Sequence, residues 1–450
     1  MRTFGFFWIT FTLVATLLYP TNGWISPLHT PDAKMRTSRA VRIYTELSEA
    51  PKSHLDRRDV LATAFSVATV STGLNPANAL DTLEDEQRQQ YTLKFPTLFA
   101  PLYGESYRKT IKRPLASNES TNDIWALEQN LELGPLQTPM RCTVIRLQNG
   151  KLWVHAPLAP TQEFFDLVES CGSGDPSAVA HVVVPTYALE HKVFVKDALQ
   201  RWPNAKLWTS PQQFSFPFQA SEQFVFGKSV DGILDSSINP PWSDEIDHAT
   251  LEGGTFNIGG TPTTLCETVF FHKASKSLIV TDAVAQIPTS VPPLNDPDKL
   301  LLISKRSTSD PMPPDTPQAR LDGWEKTALL VSYFFPEHEE PDPDQLGVVT
   351  WTDGWQDNFK ALAGRLICPP VVRTLIYAQN PARVQSLVDR VSQWEFDQIV
   401  PAHFEAPIVA KPNDFSAAFR FLQDPSIDAF PKNDLARGLQ PIADISLKKL

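Results

Sequence analysis

Thr186-Tyr187-Ala188-Leu189-Glu190-His191 follows an apolar run, His181-Val182-Val183-Val184, that reads as a buried strand. Two further stretches repeat the arrangement. Thr281-Asp282-Ala283 comes after Ser277-Leu278-Ile279-Val280, and Pro401-Ala402-His403 after Phe396-Asp397-Gln398-Ile399-Val400. A carboxylate or imidazole just past a strand end projects into the cleft where α/β proteins place their sites. Glu190, His191, Asp282 and His403 are therefore the candidate site residues. Two imidazoles and two carboxylates suit one divalent metal, Zn²⁺ or alternatively Fe²⁺ or Mn²⁺. Asp282 is also the candidate catalytic residue, since it could position a water instead of ligating.

Working outward, Lys192–Trp202 carries a helical apolar face (Val193, Phe194, Ala198, Leu199), and Ala205–Trp208 reads as the next strand. Upstream, Arg141–Leu147 and Lys151–Val154 flank Asn149-Gly150, a strong hairpin signal. Thr161 reads as the cap of a helix through Glu169. Downstream, Thr268–His272 and Ser277–Val280 form a hairpin leading to Asp282. Gly323–Phe335, Gln356–Leu366 and Ala382–Trp394 read as helices, and Phe415–Leu422 as the last one. Phe214–Phe226, rich in Phe, looks like a wall or lid.

Other candidates are ambiguous by themselves. His155 ends a strand and is either an ordinary loop histidine or part of the cleft lining. Tyr187 either orients a substrate carbonyl or packs. His272 is expected to face solvent, and Glu405 to be a surface or supporting group rather than a ligand.

The first 79 residues read as addresses. Residues 1–23 hold Arg2 and the apolar run Phe4–Leu18, too short for a comfortable membrane span, then Tyr19-Pro20-Thr21-Asn22-Gly23: a signal peptide. Residues 24–56 carry Lys34, Arg36, Arg39, Arg42 and Lys52 among Ser, Thr and Pro, the composition of a plastid transit peptide, and resemble import leaders of algae whose plastids lie inside the endomembrane system. Residues 57–79 hold Arg57-Arg58, a mild apolar run and Ala77-Asn78-Ala79, a twin-arginine signal. Stacked in this order they predict a destination in the thylakoid lumen of a plastid. Residues 80–140 read as an N-terminal extension and 141–450 as the functional domain, with Pro-rich insertions over about 285–345.

From Leu80 onward 32 basic residues face 46 acidic ones, a net charge of about −14. Such a surface disfavours nucleic acid and anionic membranes as partners. No membrane span is evident in this part. The cysteines Cys142, Cys171, Cys266 and Cys368 are far apart with no C-x-x-C, and free buried thiols are the expected state. The chain has 40 Pro against 19 Gly, and the Pro-rich runs at 288–297, 311–317 and 336–343 read as long connections on a compact scaffold.

The order and spacing of the three strand-end stretches resemble the metallo-β-lactamase superfamily, whose first motif is H-x-H-x-D-H, whose bridging Asp follows a later strand and whose last His sits in a terminal P-G-H. Here Thr186 and Ala188 stand where the first two His should be and Glu190 replaces the Asp, while His191, Asp282 and His403 remain. The resemblance implies that the ligand set of one metal is kept and that of the other lost, so one metal fits and two do not. From about Leu152 to Ala417 the chain is similar to a plastid and cyanobacterial family of unknown function distantly related to that superfamily. The residues that carry this are Leu152-Trp153-Val154-His155-Ala156-Pro157-Leu158-Ala159-Pro160-Thr161, Glu190-His191-Lys192, Arg201-Trp202-Pro203-Asn204-Ala205, Val280-Thr281-Asp282-Ala283-Val284 and Ile399 to Pro407. It implies an α/β fold, a four-layer αββα sandwich, and by itself no activity.

Two functions stay open on the sequence. One is a mononuclear metal-dependent hydrolase acting on an ester, thioester or lactone-like small molecule in the plastid. The other is a non-catalytic protein that keeps the fold for binding or assembly of a photosynthetic complex. The missing metal set and the Phe- and Pro-rich stretches favour the second; the surviving ligand set favours the first.

Overall fold

The computed structural model describes residues 109–447, apart from 116–122, 134, 214–220, 259–260, 343–344, 346–347 and 428–429. The three targeting segments, residues 80–108 and the start of the Phe-rich wall lie outside the described residues.

Two sheets form the centre. The first has seven strands in sequence order: β1 (Ile111–Pro114), β2 (Ile124–Leu133), β3 (Leu136–Arg146), β4 (Leu152–His155), β5 (Val179–Val184), β6 (Lys206–Thr209) and β7 (Gly232–Ile233). Its first four strands run antiparallel and its last four parallel. The predicted Asn149-Gly150 turn joins β3 to β4, with Gly150 at φ +78, where a side chain would be strained. The second sheet is built from β8 (Ile246–Ile258), β9 (Thr261–His272) and β10 (Ser277–Ile279). Two short pairs follow, β11 (Ala285–Gln286) with β14 (Leu366–Ile367) and β12 (Glu339–Pro341) with β13 (Val349–Trp351). β15 (Gln398–Val400) and β16 (Ile408–Val409) then complete the second sheet in the order β16-β15-β10-β9-β8.

Alternation along the strands explains the layering. On β4, Trp153 faces one way and Leu152 and Val154 the other; on β9, Phe270 faces away from Val269 and Phe271. Trp153, Val183 and Trp208 of the first sheet meet Phe270, Ile279 and Val400 of the second in a shared core. The outer face of the first sheet packs on helices Gln162–Glu169 and Val195–Arg201. That of the second packs on Pro297–Ser304, Pro317–Tyr333, Pro381–Val391 and Pro412–Ala418. Three apolar cores separate four layers, the αββα sandwich. Thr161 caps its helix as expected, with Oγ1 accepting from Phe164 N at 3.1 Å. Among the described residues no helix is long and apolar enough to cross a membrane, and all four cysteines are free and buried.

Several expectations need correction. The boundary at 141 falls inside β3, and β1 and β2 belong to the first sheet, so the described part of the N-terminal extension is integral to the fold. The stretch around 285–345 contributes two helices whose Leu300, Trp324 and Leu329 lie in the outer core, so these Pro-rich residues form part of the outer helical layer. Helix Pro317–Tyr333 begins ahead of Gly323 because Thr316 caps it and Pro317 occupies its first turn. Phe415–Leu422 is not the last helix; Gln440–Leu447 follows it.

At Gly323 helix Pro317–Tyr333 packs on Pro297–Ser304 so tightly that a Cβ would collide with the Leu300 carbonyl. Gly323→Ala should cost about 1–3 kcal/mol by overpacking. Denaturant unfolding of the variant should show a lowered midpoint; an unchanged one would contradict this packing.

Candidate metal centre

The C-terminal ends of β5, β10 and β15 lie at one edge of the two sheets. After β5 the chain turns through a short 3₁₀ segment, Leu189–His191, which buries both Glu190 and His191. Asp282 follows β10 and His403 follows β15. Three stretches distant in sequence thus bring the four candidates to one place. His191 Nε2 lies 3.1 Å from His403 Nε2. Asp282 Oδ2 lies 3.8 Å from His191 Nε2, and Oδ1 lies 3.6 Å from His403 Nε2. One potential ligand atom each from Glu190, His191 and His403 falls within 4.8 Å of the others. Two nitrogens bound tetrahedrally to one zinc ion sit roughly 3.3 Å apart, so the imidazole spacing suits a shared cation.

The tautomer of His403 is set by its partners. Nδ1 sits 3.2 Å from the Pro139 carbonyl, which can only accept, so Nδ1 carries the hydrogen and Nε2 offers its lone pair to the centre. Burial, with the neighbouring His191, pushes the His403 imidazole down to about 4. His191 behaves oppositely. Burial pulls it down, but the Asp282 carboxylate, backed by Glu190 and Glu267, outweighs this and holds it above its ordinary value. For Asp282 burial raises the carboxyl, yet His191 and His403 bring the balance below the usual range. Burial raises Glu190 despite its His191 neighbour, and its Oε2 is buried with no hydrogen-bond partner. Two buried imidazoles whose Nε2 atoms face each other and an unpartnered buried carboxylate oxygen form a donor set that fits a divalent cation, which would replace the hydrogen between the two rings.

A supporting residue, Glu267, escaped the sequence reading. Glu267 on β9 is buried, and its Oε1 accepts from the backbone N–H groups of Thr281, Asp282 and Ala283 at 2.7, 3.1 and 3.2 Å. It holds the Asp282 turn, and burial together with the Asp282 charge pushes its carboxyl up to about 8. Thr186, at a position where the superfamily motif has a histidine, forms an isolated backbone bridge with the same residue. Lys192, beside His191, is fully buried, donates to Gln213 Oε1 at 3.2 Å and is pushed by burial down to about 7. The signal that could have found Glu267 was a charged residue inside the otherwise uncharged run Thr261–Phe271.

The remaining candidates resolve as follows. His155 is buried between the sheets, stacked on Trp153 at 5.6 Å with both ring nitrogens unpartnered; it is a core residue near His191. Tyr187 packs with Leu251, Leu265, Val372, Ile376 and Tyr377 around a narrow crevice reaching Asp282 and Glu267. His272 is not solvent-facing: it is 2 % exposed, with Nδ1 2.7 Å from Ser275 Oγ, because the turn after β9 folds back over it. Glu405 is exposed and accepts from Gln286 Nε2 at 2.8 Å, away from the cluster.

Glu267→Ala should leave three backbone N–H groups at the Asp282 turn without their acceptor, and each buried unsatisfied donor costs about 1–3 kcal/mol. Denaturant unfolding should show the loss, and Glu267→Gln, which keeps an acceptor oxygen, should be milder. Equal stability of Glu267→Ala and wild type would refute the anchoring role.

Among curated proteins no sequence matches this chain. The fold is similar to that of a metallo-β-lactamase from Pontibacter korlensis, at 11 % identity and TM-score 0.31, covering 70 % of this chain and 100 % of that one. It is also similar to a diflavin flavoprotein A 5 fragment from Nostoc sp. PCC 7120, at 8 % identity and TM-score 0.36, covering 70 % and 97 %. The Flv1 flavodiiron core from Synechocystis sp. PCC6803 is similar at 9 % identity and TM-score 0.36, covering 70 % and 61 %. Likeness at this level concerns the fold alone. The sequence model described as "Domain of unknown function (DUF4336)" matches residues 121–421, more than half of the chain, and the chain belongs to that family.

Proposed function

We propose that the chain is a mononuclear metal-dependent hydrolase of an ester, thioester or lactone-like small molecule. The observation that carries this reading is the convergence of His191, His403, Glu190 and Asp282, with Glu190 Oε2 buried and unpartnered. His191, His403 and Glu190 would hold a single divalent cation, with Asp282 as the fourth ligand or as the group beside it. Such an ion, when bound, lowers the pKa of water to ~7 and polarises a carbonyl oxygen. Asp282 is held below the usual carboxylate range, so it is ionised at neutral pH and can accept a proton from an attacking water or fix its orientation. The hydrogen on His403 Nδ1 stays engaged with Pro139, which keeps that ring in one orientation through the reaction.

One observation favours a second reading, a non-catalytic protein acting in binding or assembly, for example of a photosynthetic complex. Tyr187 and Tyr377 close the crevice beside Asp282 against four aliphatic side chains, leaving little room for a substrate on that side.

The two readings separate on metal binding. With Zn²⁺ as the probe, the wild type should bind one ion, and Asp282→Ala and His403→Ala should each weaken or abolish binding while the fold persists, because the three apolar cores do not depend on a metal clip. Binding should also weaken as pH falls: His191 is held above its ordinary value and must lose its proton to ligate. Competition against a chromophoric chelator across pH measures both. A null strain rescued by the Asp282→Ala, His403→Ala double variant would end the hydrolase reading.

A further inference from the structure

Arg141 sits on β3 and is 1 % exposed. A guanidinium is costly to bury and needs every donor matched. Its Nε donates to Glu128 Oε1 at 2.7 Å, its Nη1 donates to the Pro401 carbonyl, and its Nη2 donates to the Phe404 carbonyl at 2.7 Å. Its own backbone N–H donates to the Ala402 carbonyl at 2.7 Å. The carbonyls of residues 401, 402 and 404 are thus all tied to one residue, and the residue they enclose is His403. The preceding residue of β3, Met140, forms an isolated bridge with His403, and Pro139 accepts from its ring. Phe404 is in the left-handed region, φ +57, a conformation that a phenylalanine adopts only when its surroundings enforce it.

Glu128 completes the device from the neighbouring strand. It accepts from Arg113 Nε at 2.9 Å and Nη2 at 2.7 Å as well as from Arg141. The chain Arg113–Glu128–Arg141 runs from β1 through β2 to β3 and ends on the His403 loop.

We propose that Arg141, oriented by Glu128, is the positioning residue of the metal centre: its planar fork fixes the Pro401–Phe404 turn so that His403 Nε2 faces His191. This rests on the reading of His403 as a ligand. A lysine could not replace it, because a single ammonium does not span two carbonyls with fixed geometry. A second consequence concerns β1 and β2, which carry no candidate ligand yet supply the outer half of the support.

The test uses the chain with Zn²⁺ as the probe, and the variants Arg141→Met, Arg141→Lys, Glu128→Gln and Leu152→Ala. Leu152 is buried in the outer core of the first sheet and opens β4 opposite Arg146 and Val179, at the end of the sheet away from the strand ends that carry the centre. Leu152→Ala therefore lowers stability away from the centre and controls for a merely structural effect. Arg141→Met should raise the Zn²⁺ Kd by about 10- to 100-fold, the usual range for removing an outer-shell partner. Arg141→Lys should fall between, and Leu152→Ala should leave the Kd unchanged. Glu128→Gln should weaken binding in the wild type and add little in the Arg141→Met background, since neighbours in one network couple. An Arg141→Met chain with wild-type Kd, or a Leu152→Ala chain whose Kd rises as much as that of Arg141→Met, would overturn the proposal. A wild type that binds no metal would instead defeat the functional reading alone. The positioning role would then be decided by the ¹H–¹⁵N imidazole signals of His403, which should shift in Arg141→Met and not in Leu152→Ala; unchanged signals in both would overturn it.

Discussion

The centre depends on the registration of two sheets at one edge. Glu190 and His191 belong to a loop of the first sheet; Asp282 and His403 belong to loops of the second. Two backbone hydrogen bonds cross between the sheets at this edge, Thr268 N to the Pro185 carbonyl and Arg141 N to the Ala402 carbonyl, each 2.7 Å. Behind them the inter-sheet core, with Trp153 against Phe270 at 5.0 Å, keeps the separation fixed. A slip of one residue in either sheet would turn its core side chains to the wrong face and also part the ligands. Fold and site therefore share one constraint.

That constraint lets the chain hold four ionisable groups out of water. Like charges in a buried site oppose one another, and here they are separated by role. Asp282 is held below the usual carboxylate range by the two imidazoles beside it, His403 is pushed down to about 4 by burial and His191, and His191 is raised because the Asp282 carboxylate outweighs its burial. Glu267 sits behind, with three backbone donors on one oxygen. It leaves Asp282 its full acceptor capacity by taking the N–H groups of the Asp282 turn.

The strand ends were legible because apolar runs that stop at a carboxylate or imidazole have few structural uses, and three of them in sequence point to one edge. The layering was legible from alternation, as in Leu152-Trp153-Val154. Arg141 and Glu267 were not, because a charged residue in an alternating strand ordinarily faces solvent, and only the structure shows these two turned inward at the sheet edge. Proline misled the reading of the outer helices. Pro297, Pro317, Pro370, Pro381 and Pro412 each occupy the first turn of a helix, where the missing N–H costs nothing. Within the Pro-rich runs, Pro297 and Pro317 mark helix starts packed on the second sheet, while 287–296 and 311–316 are connections without helix or strand. The burial of His272 was hidden for a related reason: the serines that satisfy it, Ser275 and Ser277, read as an ordinary turn.

The central claim is a single ion held by imidazoles from both sheets. X-ray absorption at the metal edge on the Zn²⁺-loaded chain tests it most directly. The account predicts scattering from two imidazole rings and from oxygen, with no metal–metal vector. A shell without imidazole, or a second metal in range, would contradict it.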